Sequence, residues 1–247
     1  MKALVFAAGL GTRLRPLTND RPKALVEVGG RTMLQRVITH LAASGVDDIT
    51  VNIHHFGDKI IEYLERHNNF GLNIHISDER DLLLDTGGGM LKARKYLDGD
   101  EPFIVHNADV LTDLDLKAMY DFHVKHHALS TILVKPRQTQ RYFLFNSEGR
   151  LRGWVNKATG ETKPQGFVYD ATQVEALAFG CVHVISPAIF DALEKYSAEK
   201  GKVFSIAPFY AEMCHDYDFY GYQQFSDYKW LDVGKPETLA LAAEMFG

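Results

Sequence analysis

The first 135 residues alternate between short apolar runs and amphipathic segments, and this alternation restricts the fold more than any other feature of the chain. Residues 2–6 form a brief apolar run containing Val5 and Phe6, and a glycine-rich loop follows. Residues 32–43 place Met33, Leu34, Val37, Ile38, Leu41 and Ala42 on one helical face, and Gly45 closes that helix. The β-branched run 49–53, Ile-Thr-Val-Asn-Ile, predicts a second strand. A helix near 57–67 and a strand near 72–76 come next, then a helix starting in the glycines 87–89. A strand at 103–105 running out into Asn107-Ala108-Asp109, a helix around 115–127 and a strand at 131–134 complete the series. Strand and helix alternating at this spacing predict right-handed βαβ units and a Rossmann-like, mainly parallel α/β sheet flanked by helices.

After Pro136 the texture changes. Strand-like pieces at 142–145 and 151–155, a turn-rich stretch at 157–166 and an apolar run at 177–185 predict antiparallel strands inserted in that sheet. Pro187 opens a helix over 187–196, residues 205–214 read as helical, and Lys229-Trp230-Leu231-Asp232 precedes a last helix from Pro236. With no internal repeat, low-complexity tract or linker, a single domain over 1–247 is expected, built from a first part, 1–135, and a second, 136–247.

Hydrophobic residues make up 46% of the 247 and charged residues 24%, which excludes a disordered or fibrous chain. No uninterrupted apolar run is long enough to span a bilayer, so no membrane partner is expected. The N-terminal apolar stretch, cut short by Arg13 and Arg15, reads as a buried strand and not as a secretory signal. Cys181 and Cys214 make no disulfide framework or C-x-x-C pair, and both read as packing residues in a chain expected in the reducing cytoplasm. Lys and Arg total 27 against 32 acidic residues, a net charge of -5, which argues against nucleic acid as a partner. Phosphates, if bound, must be bound by local geometry.

In open α/β sheets ligands gather at the carboxyl ends of strands. Three polar groups fall at such positions: residues 9–23, Asn107 with Asp109, and Asp232. The first is the loop Ala7-Ala8-Gly9-Leu10-Gly11-Thr12-Arg13. Its glycines allow backbone N–H groups to approach a phosphate closely. A dinucleotide fingerprint would need a third glycine where Leu14 stands, and the Gly-Lys-Ser/Thr of a Walker A loop is absent. Arg13 and Lys23 instead put two cations beside the loop, a forked donor and a point charge that suit a triphosphate.

The stretch from Leu4 through Gly9-Leu10-Gly11-Thr12-Arg13-Leu14-Arg15-Pro16-Leu17-Thr18, followed by Arg21-Pro22-Lys23-Ala24-Leu25, resembles the opening motif of the sugar-1-phosphate nucleotidylyltransferases. Further features of that family recur in order: Leu84-Asp85-Thr86-Gly87-Gly88-Gly89, Asn107-Ala108-Asp109, Phe179-Gly180 and Trp230-Leu231-Asp232-Val233-Gly234. The triple glycine and the closing motif are most similar to the N-acetylmuramate-1-phosphate uridylyltransferase and mannose-1-phosphate guanylyltransferase-like branches. The resemblance implies the nucleotide-diphospho-sugar transferase fold, with residues 1–135 binding nucleotide and 136–247 the sugar phosphate. It implies an enzyme that condenses a nucleoside triphosphate with a sugar 1-phosphate, giving a nucleoside-diphosphate sugar and pyrophosphate for cell-wall or glycan precursors. UTP with N-acetylmuramate 1-phosphate is the favoured pair, and GTP with mannose or heptose 1-phosphate the alternative. A regulatory protein that binds nucleotide sugars without turnover is the rival from another class.

By the same resemblance Arg13 grips the β- and γ-phosphates, Lys23 neutralises charge at the reaction centre, and Asp109 and Asp232 bind Mg²⁺, a hard cation content with two carboxylates and phosphate oxygens. Ala7, Ala8, Gly9, Gly11, Thr12, Arg13, Glu79, Thr86, Gly87, Gly88 and Asn107 are the expected nucleotide-binding residues. Here the triple glycine would let a base or ribose approach the backbone. Glu79 and Asp81 have two readings, base contact or solvated surface. Phe179 and Gly180 are expected against the sugar, with Asn156, Lys157 and Arg141 competing for the sugar or its phosphate, because the Glu-Lys-Pro of many relatives is here Asn156-Lys157-Ala158. Two histidine groups, His54-His55 and His123/His126/His127, could suggest zinc, but no Cys or acidic pattern accompanies them, and the second reads as a solvated or capping helix end.

Overall fold

A computed structural model describes residues 1–247. The first half builds β1 (Lys2–Phe6), a ribbon of β2 (Glu27–Val28) and β3 (Arg31–Thr32), α1 (Met33–Ala43), β4 (Asp48–Ile53), α2 (Gly57–Arg66) and β5 (Asn73–Asp78). It continues with α3 (Asp85–Lys92), α4 (Arg94–Leu97), β6 (Phe103–Asn107), β7 (Val110–Thr112), α5 (Leu116–His126) and β8 (Ser130–Lys135). The second half adds β9 (Arg141–Phe145), β10 (Leu151–Asn156), β11 (Thr162–Lys163) and β12 (Glu175–Ile185). Helices α6 (Ile189–Lys200) and α7 (Ile206–Met213), strands β13 (Phe219–Tyr222) and β14 (Trp230–Asp232), and α8 (Pro236–Phe246) close the chain.

Strands β6, β1, β4 and β5 lie side by side and parallel, β1 between β6 and β4. They carry near-continuous apolar runs because helices cover both faces; Ala3, Leu4 and Val5 are fully buried. One face packs on α1, α2 and α5 through Val5, Leu34, Ile38, Val51 and Ile60. The other packs on α3, α6 and α7 through Leu4, Met90, Phe190 and Phe209. The expected antiparallel strands adjoin β6. Strand β12 pairs with β6 and β8 along its C-terminal part and with β9 along its N-terminal part, and β9, β10 and β11 follow as a meander.

Two expectations are corrected. The strand that carries Asp232 is not in this sheet: β14 pairs antiparallel with β7 in a separate ribbon, Asp232 opposite Val110. Strand β7 begins immediately after Asp109 and is too short to give a periodic signal. His123 is not a solvated helix end either. It is fully buried, with Nδ1 3.0 Å from Thr131 Oγ1 and Nε2 2.9 Å from Ser186 Oγ, tying α5 to β8 and to the end of β12.

The triple glycine fixes where α3 sits. The segment after α6 crosses its N-terminus so closely that Gly87 and Gly88 both donate their N–H to the Phe204 carbonyl, at 2.9 and 3.1 Å. A Cβ on Gly87 would lie 2.3 Å from the Phe204 ring, one on Gly88 2.2 Å from the Lys202 carbonyl, and one on Gly89 2.6 Å from Glu79 Oε1. Thr86 completes the clamp, its Oγ1 accepting from Ile206 N–H at 2.9 Å.

Two measurements check this packing. Gly88→Ala drives a methyl into backbone, so it is expected to destabilise by about 2 kcal/mol or more and to lower the melting temperature by several degrees. Gly9→Ala, with nothing within 4 Å of its added carbon, is expected to melt like the parent. Acid supplies the second. Burial pushes His106 and His123 down to about 4 and His183 down to about 3. The unfolded chain therefore binds more protons than the folded one below the ordinary histidine value, and stability present above pH 6.5 is lost as pH falls towards 4. Urea unfolding at pH 7 and pH 5 is expected to differ by about 1–2 kcal/mol per buried histidine, and His123→Gln is expected to reduce the difference.

Candidate active site

The loop after β1 is held from below. Asn52, near the end of β4, accepts from the N–H groups of Ala7 and Ala8 at 2.6 and 3.2 Å. Its Nδ2 donates to Glu79 Oε1 at 2.8 Å, and the other Glu79 oxygen accepts from Leu84 N–H at 3.0 Å. Glu79 is fully buried and desolvation raises its carboxyl above the ordinary value. Its reading as solvated surface is thus corrected; it is a buried strut. The amides of Ala7 and Ala8 are spent inside the protein, whereas those of Gly9 through Arg13 find no acceptor within it. Gly11 makes the turn at φ +65°, and its carbonyl accepts from Thr18 Oγ1 at 2.8 Å. A run of open N–H groups on a bent loop is a concavity suited to phosphate oxygens.

Below this loop lies a cavity of about 340 Å³ lined by Ala7, Ala8, Gly9, Lys23, Asn52, Glu79, Thr86, Asn107 and Asp109 among others. Gly87 and Gly88 are not open to it as expected, because Phe204 takes their N–H groups and covers them. What the same segment does contribute is Val203, half-exposed and lining the cavity together with Ala7 and Ala8 from the chain's first half. Asp81 is exposed and does not line the cavity.

At one end of the cavity the acidic residues converge. Val233 N–H donates to the Asp109 carbonyl at 2.8 Å, and the ribbon register sets Asp232 against Val110, so the two aspartates are neighbours. Lys23 Nζ is ion-paired with Asp109 Oδ2. An added Cβ at Gly234 would lie 2.8 Å from Asp232 Oδ1 and 3.0 Å from Arg13 Nη2, which puts both head groups against Gly234. Desolvation and then the Asp109 charge raise the Asp232 carboxyl, while Lys23, Arg13 and Arg137 oppose the rise. Asp232 Oδ1 is buried and has no hydrogen-bond partner in the protein. A buried carboxylate oxygen without a donor, beside a second carboxylate and open towards phosphate-binding groups, fits a hard divalent cation such as Mg²⁺. No third His, Cys, Asp or Glu joins them, so substrate or water oxygens would complete the shell.

The remaining expected residues are spread along β12 and the meander. Phe179 and Gly180 occupy a break in the β12–β8 register, and Cys181, at φ +58°, turns the strand there. Burial, reinforced by Asp109 and Asp232, pushes the Cys181 thiol up to about 12, so it is an unreactive neighbour of the carboxylates. Arg141 and Asn156 pair across β9 and β10, and Lys157 lies with its Nζ 4.5 Å from the Tyr142 ring centre. None of the three lines the cavity. Asn156 Oδ1 accepts from Ala158 N–H at 3.0 Å and so is occupied in its own turn. Two residues escaped the sequence reading. Asn52 had a signal, a lone amide in an apolar strand. Arg137 follows β8 and donates to the Phe179 carbonyl at 3.2 Å, a contact with no local signature.

Comparison with known proteins agrees with this architecture. The family described as Nucleotidyl transferase matches residues 2–246. The mannose-1-phosphate guanyltransferase of Schizosaccharomyces pombe is 32% identical over 244 residues, 96% of this chain and 62% of its own length. The N-acetylmuramate alpha-1-phosphate uridylyltransferase of Caulobacter vibrioides is 49% identical over 109 residues, 43% of this chain and 45% of its own. This chain thus spans about three fifths of the guanyltransferase relative. Among solved structures, HddC from Yersinia pseudotuberculosis, complexed with GMP-PN, aligns over 100% of this chain and 99% of its own with a TM-score of 0.73 at 23% identity. UDP-glucose pyrophosphorylase complexed with UDP-glucose aligns over 99% and 97% with a TM-score of 0.78 at 20% identity. Identities that low speak for the fold alone: a parallel core flanked by helices and extended by antiparallel strands. The match over nearly the whole chain settles membership: this chain belongs to the nucleotidyl transferase family.

Proposed function

We propose that this chain is a sugar-1-phosphate nucleotidyltransferase that uses Mg²⁺. The observation that carries the reading is the convergence of Arg13, Lys23, Asp109 and Asp232, from distant parts of the chain, beside a loop with open amides. An oxygen of the sugar 1-phosphate attacks the α-phosphorus of the nucleoside triphosphate. The bond from that phosphorus to the β-phosphate oxygen breaks, and pyrophosphate leaves with the electron pair. Both reactants are anions, so the protein's task is to align them and neutralise charge. The amides from Gly9 to Arg13 and the Arg13 guanidinium receive the β- and γ-phosphates. Lys23, whose ammonium already lies at Asp109, offsets charge at the α-phosphate. Asp109 and Asp232 hold Mg²⁺, which when bound supplies positive charge to the phosphate oxygens. A sensor without turnover would need neither the paired carboxylates nor both cations.

For the nucleotide we favour UTP, with N-acetylmuramate 1-phosphate as acceptor. A guanine reader wants a carboxylate for its N1–H and N2–H₂ groups. Glu79 is committed to Asn52 and Leu84, Asp81 stands outside the cavity, and Asp85, which lines it, already accepts from Thr86 N–H at 2.6 Å. Uracil asks for less, one acceptor and one donor that backbone can supply. The stretch most similar to the muramate uridylyltransferase also supports this reading. The second reading, GTP with mannose 1-phosphate, is favoured by the coverage of the guanyltransferase relative, 96% of this chain. A cytoplasmic location is part of the proposal; no helix is long and apolar enough to cross a membrane.

Pyrophosphate release from UTP, GTP and CTP, each crossed with a panel of sugar 1-phosphates, tests the reading, and no release from any pair would end it. With UTP and GTP at equal concentration, UTP is expected to be consumed about tenfold faster; the reverse ratio selects the guanyltransferase reading. Asp109→Asn and Asp232→Asn are each expected to lower turnover about 10²-fold, with partial recovery at high Mg²⁺ or Mn²⁺. Lys23→Ala is expected to lower kcat without a matching rise in nucleotide KM. Arg13→Ala is expected to change both, since it grips the triphosphate in the ground state as well.

A further inference from the structure

Arg137 stands where the carboxylate pair meets the β12 break. Its Nη2 donates to the Phe179 carbonyl at 3.2 Å, and its guanidinium carbon lies 5.1 Å from the centre of the Trp230 ring. Trp230 is fixed in turn, its Nε1 donating to the Gly180 carbonyl at 2.9 Å, two residues before Asp232 on the same strand. Lys135 shares the platform, with Nζ 4.3 Å from the Tyr228 ring centre and 5.2 Å from that of Trp230. Neither cation has a carboxylate within ion-pair distance, although acidic residues outnumber basic ones in the chain. Two cations held on aromatic faces, neither ion-paired, repel each other; burial and Arg137 lower the ammonium of Lys135, and the charge of Asp113 opposes this only in part. A dianion relieves that repulsion.

Arg137 also faces the right way. Its charge is felt at Asp232 and at Cys181, alongside that of Lys23, so it borders the carboxylate pair. Arg141 and Lys157, the cations first expected to compete for this task, belong to the β9–β10 hairpin, where Lys157 rests on Tyr142. A guanidinium stacked on indole with one N–H engaged keeps the rest of its planar fork for the two oxygens of a phosphate monoester.

We infer that Arg137, supported by Trp230 and assisted by Lys135, is the receptor for the phosphate of the sugar 1-phosphate. The inference rests on the nucleotidyltransferase reading for the name of the ligand, but not for the existence of an anion site. In that role Arg137 holds the attacking phosphate beside the carboxylate pair while the sugar ring lies towards Phe179 and Gly180. Arg13 and the loop keep the triphosphate, so each anion has its own cations beside the carboxylates.

Titration calorimetry on the intact chain tests it, with N-acetylmuramate 1-phosphate and mannose 1-phosphate as probes and UTP and GTP titrated separately. Arg137→Gln is expected to weaken the sugar phosphate at least tenfold and leave the nucleotide within about twofold. Arg137→Lys is expected to fall between, keeping charge and losing the fork, while Arg141→Gln and Lys157→Gln bind like the parent. Unchanged sugar-phosphate affinity in Arg137→Gln, or a tenfold loss in Arg141→Gln or Lys157→Gln, overturns the inference. So does an equal loss for nucleotide and sugar phosphate with a lowered melting temperature, which would mark Arg137 as structural, and so does a parent chain that binds neither probe. If the parent and variants behave as expected yet no nucleotide–sugar pair releases pyrophosphate, the enzymatic reading fails and the anion site stands.

Discussion

Two carboxylates of like charge, Asp109 and Asp232, are forced together in a partly desolvated corner, and the rest of the site answers that repulsion. The β7–β14 ribbon and the bond from Val233 N–H to the Asp109 carbonyl leave them little room to separate. Burial and Asp109 raise the Asp232 carboxyl, and three cations from two parts of the chain pull it back: Lys23, Arg13 and Arg137. Arg13 and Lys23 come from the loop after β1, and Arg137 from the segment after β8. The balance of charge at the corner therefore couples the glycine-rich loop, the carboxylate ribbon and the β12 break. Those three elements also share one apolar cluster through Leu14, Ala24, Val110, Val233 and Val182, so packing holds them while charge aligns their polar head groups.

A second node lies under the loop. Asn52 cannot rotate its amide without losing two loop N–H bonds on one side and Glu79 on the other. Glu79 is itself pinned by Leu84 N–H, ahead of α3. The loop proposed to bind phosphate is thus held by a chain of buried polar contacts reaching from β1 through β4 to the start of α3. Such a network is worth its desolvation only if each member is paired, and here each is.

How much of this could be read from the residues alone depended on how local the cause was. The parallel core was legible because apolar periodicity is local, and so were Arg13 and Lys23, which share a loop. Asp109 and Asp232 were legible only through the motif resemblance, since no local pattern says that a strand at the end of the chain returns to pair with β7. The triple glycine misled for the same reason. Glycine at a helix start reads as an open backbone, but the residue that demands it, Phe204, arrives more than a hundred positions later. His123 looked like a helix end because α5 ends one turn later, while its partners, Thr131 on β8 and Ser186 just past β12, are ones that periodicity cannot place against it. Arg137 had no signature at all: its meaning comes from the Phe179 carbonyl and the Trp230 ring.

The ribbon carries one more consequence, which concerns time. Of the two carboxylates, Asp109 directly precedes β7 and is made well before Asp232, which ends β14. Until β14 docks on β7, Lys23 neutralises Asp109 without competition and no paired acidic site exists to capture a stray divalent ion. A chain still being made is in this sense chemically silent. The proposed gathering of metal, nucleotide and acceptor thus hangs on a three-residue strand finding its partner.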